Sequence, residues 1–334
     1  MTLSRATTRT GLDLARAKHA LEAAGLDASL ALTRVSSVTN EVWLSDDFAV
    51  RVNRRAGNRL RREAQLGPHL PAEVGYPEVV ACGSGTGFGW LVTRRSAGNV
   101  LSRCWPTMSP AQRRHAVRQL AFMLQALHAT PIPDGLGDVN EPDAPHLLHF
   151  GQNRDAVAPL LDALARAAKL PNVEPGVMHD LAAMVTACRA RIEPFDARTL
   201  IHGDLTFENV LWDGDDVTAL IDFEWARPAP RDLELDVLLR LFAYPFLHVA
   251  DDYEAQTKAE AYEEVPSWLA EDYPQLFTAR NHRDRLRLYA IAFEVRQLLL
   301  LPPAAPTHLL STRHPLPRLL RLLTHRSYLD HAPL

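Results

Sequence analysis

The sequence predicts an α+β fold in two lobes, a small antiparallel sheet toward the N-terminus and a large, mainly helical body after it. Three observations lead there. Runs of strand character at Leu30–Val35, Val42–Leu44, Phe48–Val52, Glu78–Cys82 and Trp90–Thr93 are separated by Ser, Asn, Asp and Gly turn residues. After Ser96-Ala97-Gly98-Asn99 the pattern changes to long stretches with apolar residues at helical spacing, so the lobes are expected to be residues 1–96 and 97–334. A chain of 334 residues, 47% of them hydrophobic, is too long for one small domain and has enough apolar material for two packed bodies.

Composition narrows the class of function. A net charge of -4 gives no case for a nucleic-acid partner. Cys82, Cys104 and Cys188 lie far apart, with neither a disulfide framework nor a zinc-binding spacing, which fits a reducing cytoplasm. The first ten residues lack the apolar core of a secretory signal. The most apolar late stretch, Leu286–Leu301, is interrupted by Glu294 and Arg296 and reads as a buried helix, not a membrane span. No membrane and no protein partner is implied.

In chain order, residues 12–24 place Leu14, Ala17 and Leu21 on one helical face and stop at Gly25. The strands follow, and on Phe48–Val52 alternation puts Ala49 and Arg51 on one face. Glu63 lies in a helical run, Leu60–Leu70. The competing reading is that both charges are solvated, since Arg54, Arg55, Arg59, Arg61 and Arg62 crowd the region. Gly83–Gly89 has glycines at alternate positions and opens no helix, which favours a hairpin turn over a phosphate cradle. Ser109-Pro110 opens a core helix running to residue 129. Pro131–Pro145 is a loop, and helices are expected at 153–169 and 176–192. His146 and His149 lack a third ligand and read as surface or capping residues. Asp232–Leu239 starts a buried helix, and Leu316–Leu323 a closing amphipathic one.

The densest chemical signal lies between Ile201 and Asp222. Asn209–Trp212 and Val217–Ile221 are two strand-like runs joined by Asp213-Gly214-Asp215-Asp216, a set of hairpin-turn residues. Folding that hairpin sets Asn209 beside Asp222, with Asp204 on the loop before it. Three oxygen-bearing side chains then converge, as a hard Mg2+ ion shared with nucleotide phosphates requires.

The string His202-x-Asp204-x4-Asn209, closed by Asp222, resembles the catalytic loop and metal aspartate of kinases. With Gly203 in place of arginine it resembles the aminoglycoside phosphotransferase and choline-kinase-like family of small-molecule kinases, which have a protein-kinase-like fold. The resemblance implies Asp204 as catalytic base, Asn209 and Asp222 as ligands of Mg2+, and ATP or GTP as co-substrate. It implies Arg51 on the phosphates with Glu63 orienting it, Ser37 in a glycine-free loop above them, and Thr93 and Arg94 near a hinge that reads the nucleobase. His202 would pack within the loop, and Asp236 would prop that loop or simply sit as a helix-start charge. Glu224 would add a water-mediated metal contact.

After the motif comes an acidic segment. Asp251, Asp252, Glu254, Glu263 and Glu264 would hold the ammonium groups of a cationic acceptor, or form a solvated face. The expected activity is therefore transfer of a γ-phosphate to a hydroxyl of a small, cationic acceptor, an antibiotic such as an aminoglycoside, giving resistance by O-phosphorylation. The alternatives are a choline, sugar or homoserine kinase of the same fold and a non-catalytic nucleotide-binding module.

Overall fold

The structure, a computed structural model, describes residues 2–330 except 38, 55–56, 137–138, 140–145, 151–154 and 193–197, with only the backbone described for 2–11. Val38, Arg55 and most of the Gly137–Pro145 stretch lie outside the described residues.

The small sheet has the order β1-β2-β3-β5-β4, all neighbours antiparallel. Its strands are β1 (Thr33–Val35), β2 (Glu41–Leu44), β3 (Phe48–Asn53), β4 (Val79–Gly85) and β5 (Phe88–Arg94). Alternation sorts β3 into two faces. Val50 and Val52 turn with Trp43, Trp90 and Val92 toward helix α1 (Thr2–Ala23), whose Ala17, Ala20 and Leu21 are fully buried against them. On the other face the register aligns Ala49 with Leu44 and Thr93, and Arg51 with Val42, so these five residues look into the interior of the molecule.

β1 is shorter than the expected Leu30–Val35, because Leu30 and Leu32 pack against the sheet core as loop residues. β4 and β5 extend into the glycine-rich stretch. A Cβ at Gly83 would lie 2.5 Å from the Trp90 ring and one at Gly85 2.4 Å from the Phe88 ring, so these glycines make room for cross-strand aromatics within a hairpin.

Helix α2 (Arg59–Leu66) follows β3 and ends where Gly67-Pro68 tightens into a 3-10 turn, short of the expected Leu70. Its far end does not belong to the small sheet's core. Leu66 and Val74 join the large cluster formed by the helical lobe. Arg62 donates to the carbonyls of Leu136 at 3.1 Å and Ala226 at 2.9 Å.

That lobe opens with β6 (Asn99–Val100) and the short α3 (Leu101–Cys104). Its core is built from α4 (Pro110–Ala129), α5 (Ala158–Ala167), α6 (Pro175–Ile192), α7 (Asp232–Ala243), α8 (Val265–Asp272), α9 (His282–Leu300) and α10 (Pro315–Leu323). α4 starts with a capping box between Ser109 and Gln112. Two small sheets sit on its upper surface: β8 (Val210–Trp212) pairs with β9 (Val217–Leu220) and β6, and β7 (Thr199–Ile201) pairs with β10 (Arg227–Ala229). Among the described residues no helix is long and apolar enough to cross a membrane.

The Gly75 backbone passes so close to β9 that a Cβ there would lie 2.1 Å from the Thr218 carbonyl oxygen, and its φ of +63° already favours glycine. Gly75→Ala is expected to cost about 2–4 kcal/mol. Gly214→Ala, at φ +119° in open space, should cost about 1–2 kcal/mol from backbone strain alone. Chemical unfolding of both variants checks the difference, and equal losses would remove the clash as its cause.

Candidate active site

β7 and β10 pair at Ile201↔Arg227, so the segment between them leaves and re-enters the lobe at one point. The His202–Asp222 stretch hangs from this clamp. Just past β7 the chain turns through Gly203 at φ +80°, where a Cβ would lie 2.5 Å from the Trp225 carbonyl oxygen. Only glycine fits there. His202 is buried, packs its ring 4.4 Å from that of Phe223, and places Nε2 2.9 Å from the Ile221 carbonyl oxygen.

The loop's backbone is held from α7. Glu234, fully buried, accepts from the His202 N–H at 2.6 Å and from the Gly203 N–H at 3.2 Å. Burial works against its charge, yet His128 and His202 keep its carboxyl below the usual range. This corrects the expectation for Asp236. Residues two apart on a helix point in nearly opposite directions; Glu234 looks up at the loop, while Asp236 pairs with Arg240 at 2.7 Å.

Beyond the turn, Asp204 faces a cleft of about 1120 Å³ whose walls include Asn209, Asp222, Arg51 and Glu63. Asn209 donates through Nδ2 to the Asp204 carbonyl at 2.8 Å, which leaves its Oδ1 for other partners. The hairpin forms at Asp213–Asp216, where the Asp213 carboxylate accepts from the N–H groups of Asp215 and Asp216. Its return strand ends at Asp222, a non-glycine residue in the left-handed region at φ 66°, ψ 56°. That conformation costs about 1 kcal/mol. It turns the carboxylate out of the strand line and into the cleft.

The opposite lobe meets it there. Arg51 donates through Nη1 to both oxygens of Glu63, at 2.6 and 2.7 Å, and through Nη2 to Asp222 at 2.5 Å. Glu224, 1% exposed, lies 3.5 Å from the same Nη2 and accepts from Arg59 at 2.8 Å and Asn40 at 3.2 Å. A water-mediated metal contact from Glu224 is thus replaced by direct bonds to the small lobe. The cluster sets three carboxylates against two guanidiniums, and its pKa values follow. Burial, then Asp222, pushes Glu224 up to about 8 against Arg51 and Arg59. Burial, then Asp222, raises Asp204 to about 6 against His202, Arg240 and Arg296. Although burial disfavours its charge, Asp222, Glu63 and Glu224 hold Arg51 well above its ordinary value.

The remaining expected residues divide. Ser37 lines the cleft and donates to the Asn40 carbonyl. Thr93 and Arg94 also line it, but the Arg94 side chain lies over Phe48, and the N–H groups of Arg94 and Arg95 are bonded to the carbonyls of Glu78 and Asp47. They are therefore taken before any nucleobase arrives. Asp251, Asp252, Glu254, Glu263 and Glu264 form none of the cleft wall. Asp252 accepts from Ser36 at 2.9 Å, Glu254 pairs with Arg313 at 2.5 Å, and Glu263 and Glu264 are exposed. They are corrected to surface and inter-lobe positions: Asp252 and Glu254 sit at the cleft's edge, each engaged by a residue that lines it. His146 corrects in the other direction: it lies in the cleft wall against Trp225, not on the surface.

Glu234, Arg227 and Arg296 carry no local motif by which a sequence shows their place beside the loop and cleft. No group of three or more His, Cys, Asp or Glu able to hold a metal occurs among the described residues. Asn209 and Asp222 offer one amide oxygen and one carboxylate, a hard-ion donor set that phosphate oxygens and water would complete.

A profile of the phosphotransferase enzyme family matches residues 31–275. In fold the chain is similar to solved aminoglycoside phosphotransferases. One is the 2'-phosphotransferase-IIIa in complex with GDP (TM-score 0.57, 17% identity, 90% of this chain and 93% of that one). Another is a thermostable APH(4)-Ia in a ternary complex with ADP and hygromycin B (TM-score 0.55, 18% identity, 85% and 90%). The homoserine kinase of Rhodopseudomonas palustris (strain TIE-1) is 30% identical over 99 residues, 29% of this chain and 30% of that enzyme's length.

Because Asp204 protonates more readily folded than unfolded, its contribution to stability is full below about pH 4 and is lost as pH rises through about 6. Asp204→Asn is accordingly expected to raise the melting temperature of the nucleotide-free protein at neutral pH by about 2–4 °C, with no gain in acid. Melting curves across pH check this, and a neutral-pH loss would contradict the burial of the charge.

Proposed function

The chain belongs to the phosphotransferase enzyme family, and from that premise we propose that it transfers the γ-phosphate of ATP or GTP to a hydroxyl of a small molecule, in the cytoplasm and with Mg2+. The observation that carries this reading is the convergence of Asp204, Asn209 and Asp222 at the floor of one cleft, with Arg51 reaching Asp222 from the opposite lobe.

Phosphoryl transfer passes through a loose transition state, so the protein's work is positioning and charge. Val42, Leu44, Ala49, Leu211 and Ile221 give the small-lobe end of the cleft two apolar walls that suit a nucleobase. Arg51, fixed by Glu63, would exchange Asp222 for phosphate oxygens, while the Ser37 loop closes over them. Asn209 and Asp222 would hold Mg2+, which neutralises phosphate charge when bound. Asp204 would accept a hydrogen bond from the acceptor hydroxyl and take its proton as the oxygen attacks. Its orientation depends on Glu234, which fixes the backbone one residue before it.

For the acceptor, hygromycin B bound to a structural neighbour supports an aminoglycoside and hence a role in resistance. The homoserine kinase segment supports a metabolite.

A coupled assay of ADP or GDP release across amino-sugar antibiotics and hydroxylated metabolites tests the reaction. Asp204→Ala is expected to lower kcat about 10³-fold or more while Mg-nucleotide binding persists; near-normal turnover would end the assignment. Asp222→Ala should abolish the Mg-dependent part of nucleotide binding seen by calorimetry. In the wild type, kcat/KM, which reports the free enzyme, should rise with pH through about 6 and level off above it, as Asp204 loses its proton. A flat profile from pH 5 to 8 would argue against Asp204 as the base.

A further inference from the structure

Past Asp204 the cleft continues along α7 and α9 to the start of α10. The charged groups on this stretch are engaged within the protein. Arg240 pairs with Asp236 at 2.7 Å, Arg318 with Glu294 at 2.7 Å and Arg313 with Glu254 at 2.5 Å. Arg227 donates to the Trp225 carbonyl at 2.9 Å, and Arg296 lies over the ring of that residue at 5.1 Å. The Tyr289 hydroxyl donates to Asp232 at 3.3 Å. Burial, then Arg240 and Arg318, brings His248 down to about 3. Burial, then Arg227 and Arg296, holds His146 well below its ordinary value. Both histidines are therefore neutral at physiological pH.

Hydrocarbon is what this wall presents toward its mouth. Phe293, Gln297 and Leu300 recur at helical spacing on the face of α9 that lines the cleft, Leu301 follows at the helix end, and Leu247 and Pro315 stand with them. Gln297 is the polar member of this group and is uncharged. Leu300 is 44% exposed and Leu301 58%, two of the five large hydrophobic side chains so exposed among the described residues. Isolated leucines on a surface need no explanation. Two adjoining ones on the wall of a cleft are surface that a ligand can cover.

The rim is also fixed before any ligand arrives. His314, the N-cap of α10, accepts the Leu316 N–H on Nδ1 at 3.2 Å, which leaves the ring proton on Nε2, 3.1 Å from the Leu301 carbonyl oxygen. Leu301 is thereby tied to α10, and its own N–H donates to the Gln297 carbonyl at 2.8 Å. A preformed apolar surface binds without the cost of ordering a loop. Leu309 lies on the same α9–α10 connector and is 68% exposed, but it does not line the cleft.

We propose that the acceptor is an amphiphilic alcohol, with its hydroxyl at Asp204 and an uncharged hydrocarbon body against Phe293, Leu300 and Leu301. The inference rests on the phosphotransferase reading and names the substrate class of the same site. In the transfer the acceptor oxygen bonds to the γ-phosphorus as the bond from that phosphorus to the β–γ bridging oxygen breaks. The hydroxyl proton passes to Asp204 and the nucleoside diphosphate leaves. Hydrophobic contact supplies affinity roughly in proportion to the apolar area covered, so affinity should follow the length of the hydrocarbon and not its charge.

The test begins with protein saturated by Mg-AMP-PNP, so that the apolar walls of the nucleotide end are already covered. Propane-, hexane- and octane-1,2-diol are then titrated by calorimetry, with choline and malonate as charged comparators that lack a hydrocarbon tail. Affinity should rise about two- to threefold for each added methylene, and both comparators should bind more weakly than octane-1,2-diol. Replacing the rim, Leu300→Ser together with Leu301→Ser, should weaken octane-1,2-diol about tenfold without changing the Mg-AMP-PNP titration. Leu309→Ser should change neither. The inference is overturned if no diol binds saturably, if affinity is flat with chain length, or if choline or malonate is the better ligand. It is equally overturned if the rim variant binds octane-1,2-diol as tightly as the wild type, or if Leu309→Ser weakens that binding as much as the rim variant does. Failure of Mg-AMP-PNP itself to bind is seen in the first titration, and it overturns the phosphotransferase reading instead.

Discussion

The two lobes meet through a buried imbalance of charge. Glu63, Asp222 and Glu224 surround Arg51 and Arg59 where water is largely excluded, so neither lobe can withdraw without stranding ions from its partner. Burial, and then the Asp222 carboxylate, drives Glu224 toward its neutral form and lifts the proton affinity of Asp204 nearby. A polyphosphate and a divalent cation entering together would redistribute this charge, giving Arg51 an anion and Asp222 a cation. The resting contact between those two residues is the arrangement that such a ligand would have to divide.

Below that contact the loop is held by means that have little to do with charge balance. The β7–β10 clamp fixes both ends of the segment, Gly203 admits the close pass of Trp225, and Glu234 takes up two backbone donors from below. Rigidity at Asp204 therefore comes from backbone contacts, while its proton affinity comes first from burial and then from the Asp222 carboxylate. The two properties can change independently.

How far the sequence could be read depended on where the information lay. The Asp213–Asp216 turn and the convergence of Asn209 with Asp222 are local, set by turn chemistry and strand alternation, and were legible. So was the meeting of Arg51 with Glu63, through the resemblance of that strand to the phosphate-binding strand of kinases. The choice of Glu234 over Asp236 was not legible: both are carboxylates at the start of one helix, and the rotation of that helix under the loop decides between them. Nor could charge density show that Asp252 and Glu254 would be engaged by Ser36 and Arg313 at the cleft's edge. The far wall of the cleft comes from β10, α7, α9 and the segment at His146, so no window of sequence contains it.

The anchoring of α2 bears on how the molecule can be taken apart. The helix follows directly on the small sheet in the chain, yet Leu66 sits in the large core and Arg62 is tied to carbonyls on either side of the catalytic segment. A division of the gene at the connector near residue 96 would cut a continuous core. The lobes are thus poor modules for exchange between relatives: a small lobe brought from elsewhere would need not only a compatible sheet but a helix that fits between Leu136 and Ala226.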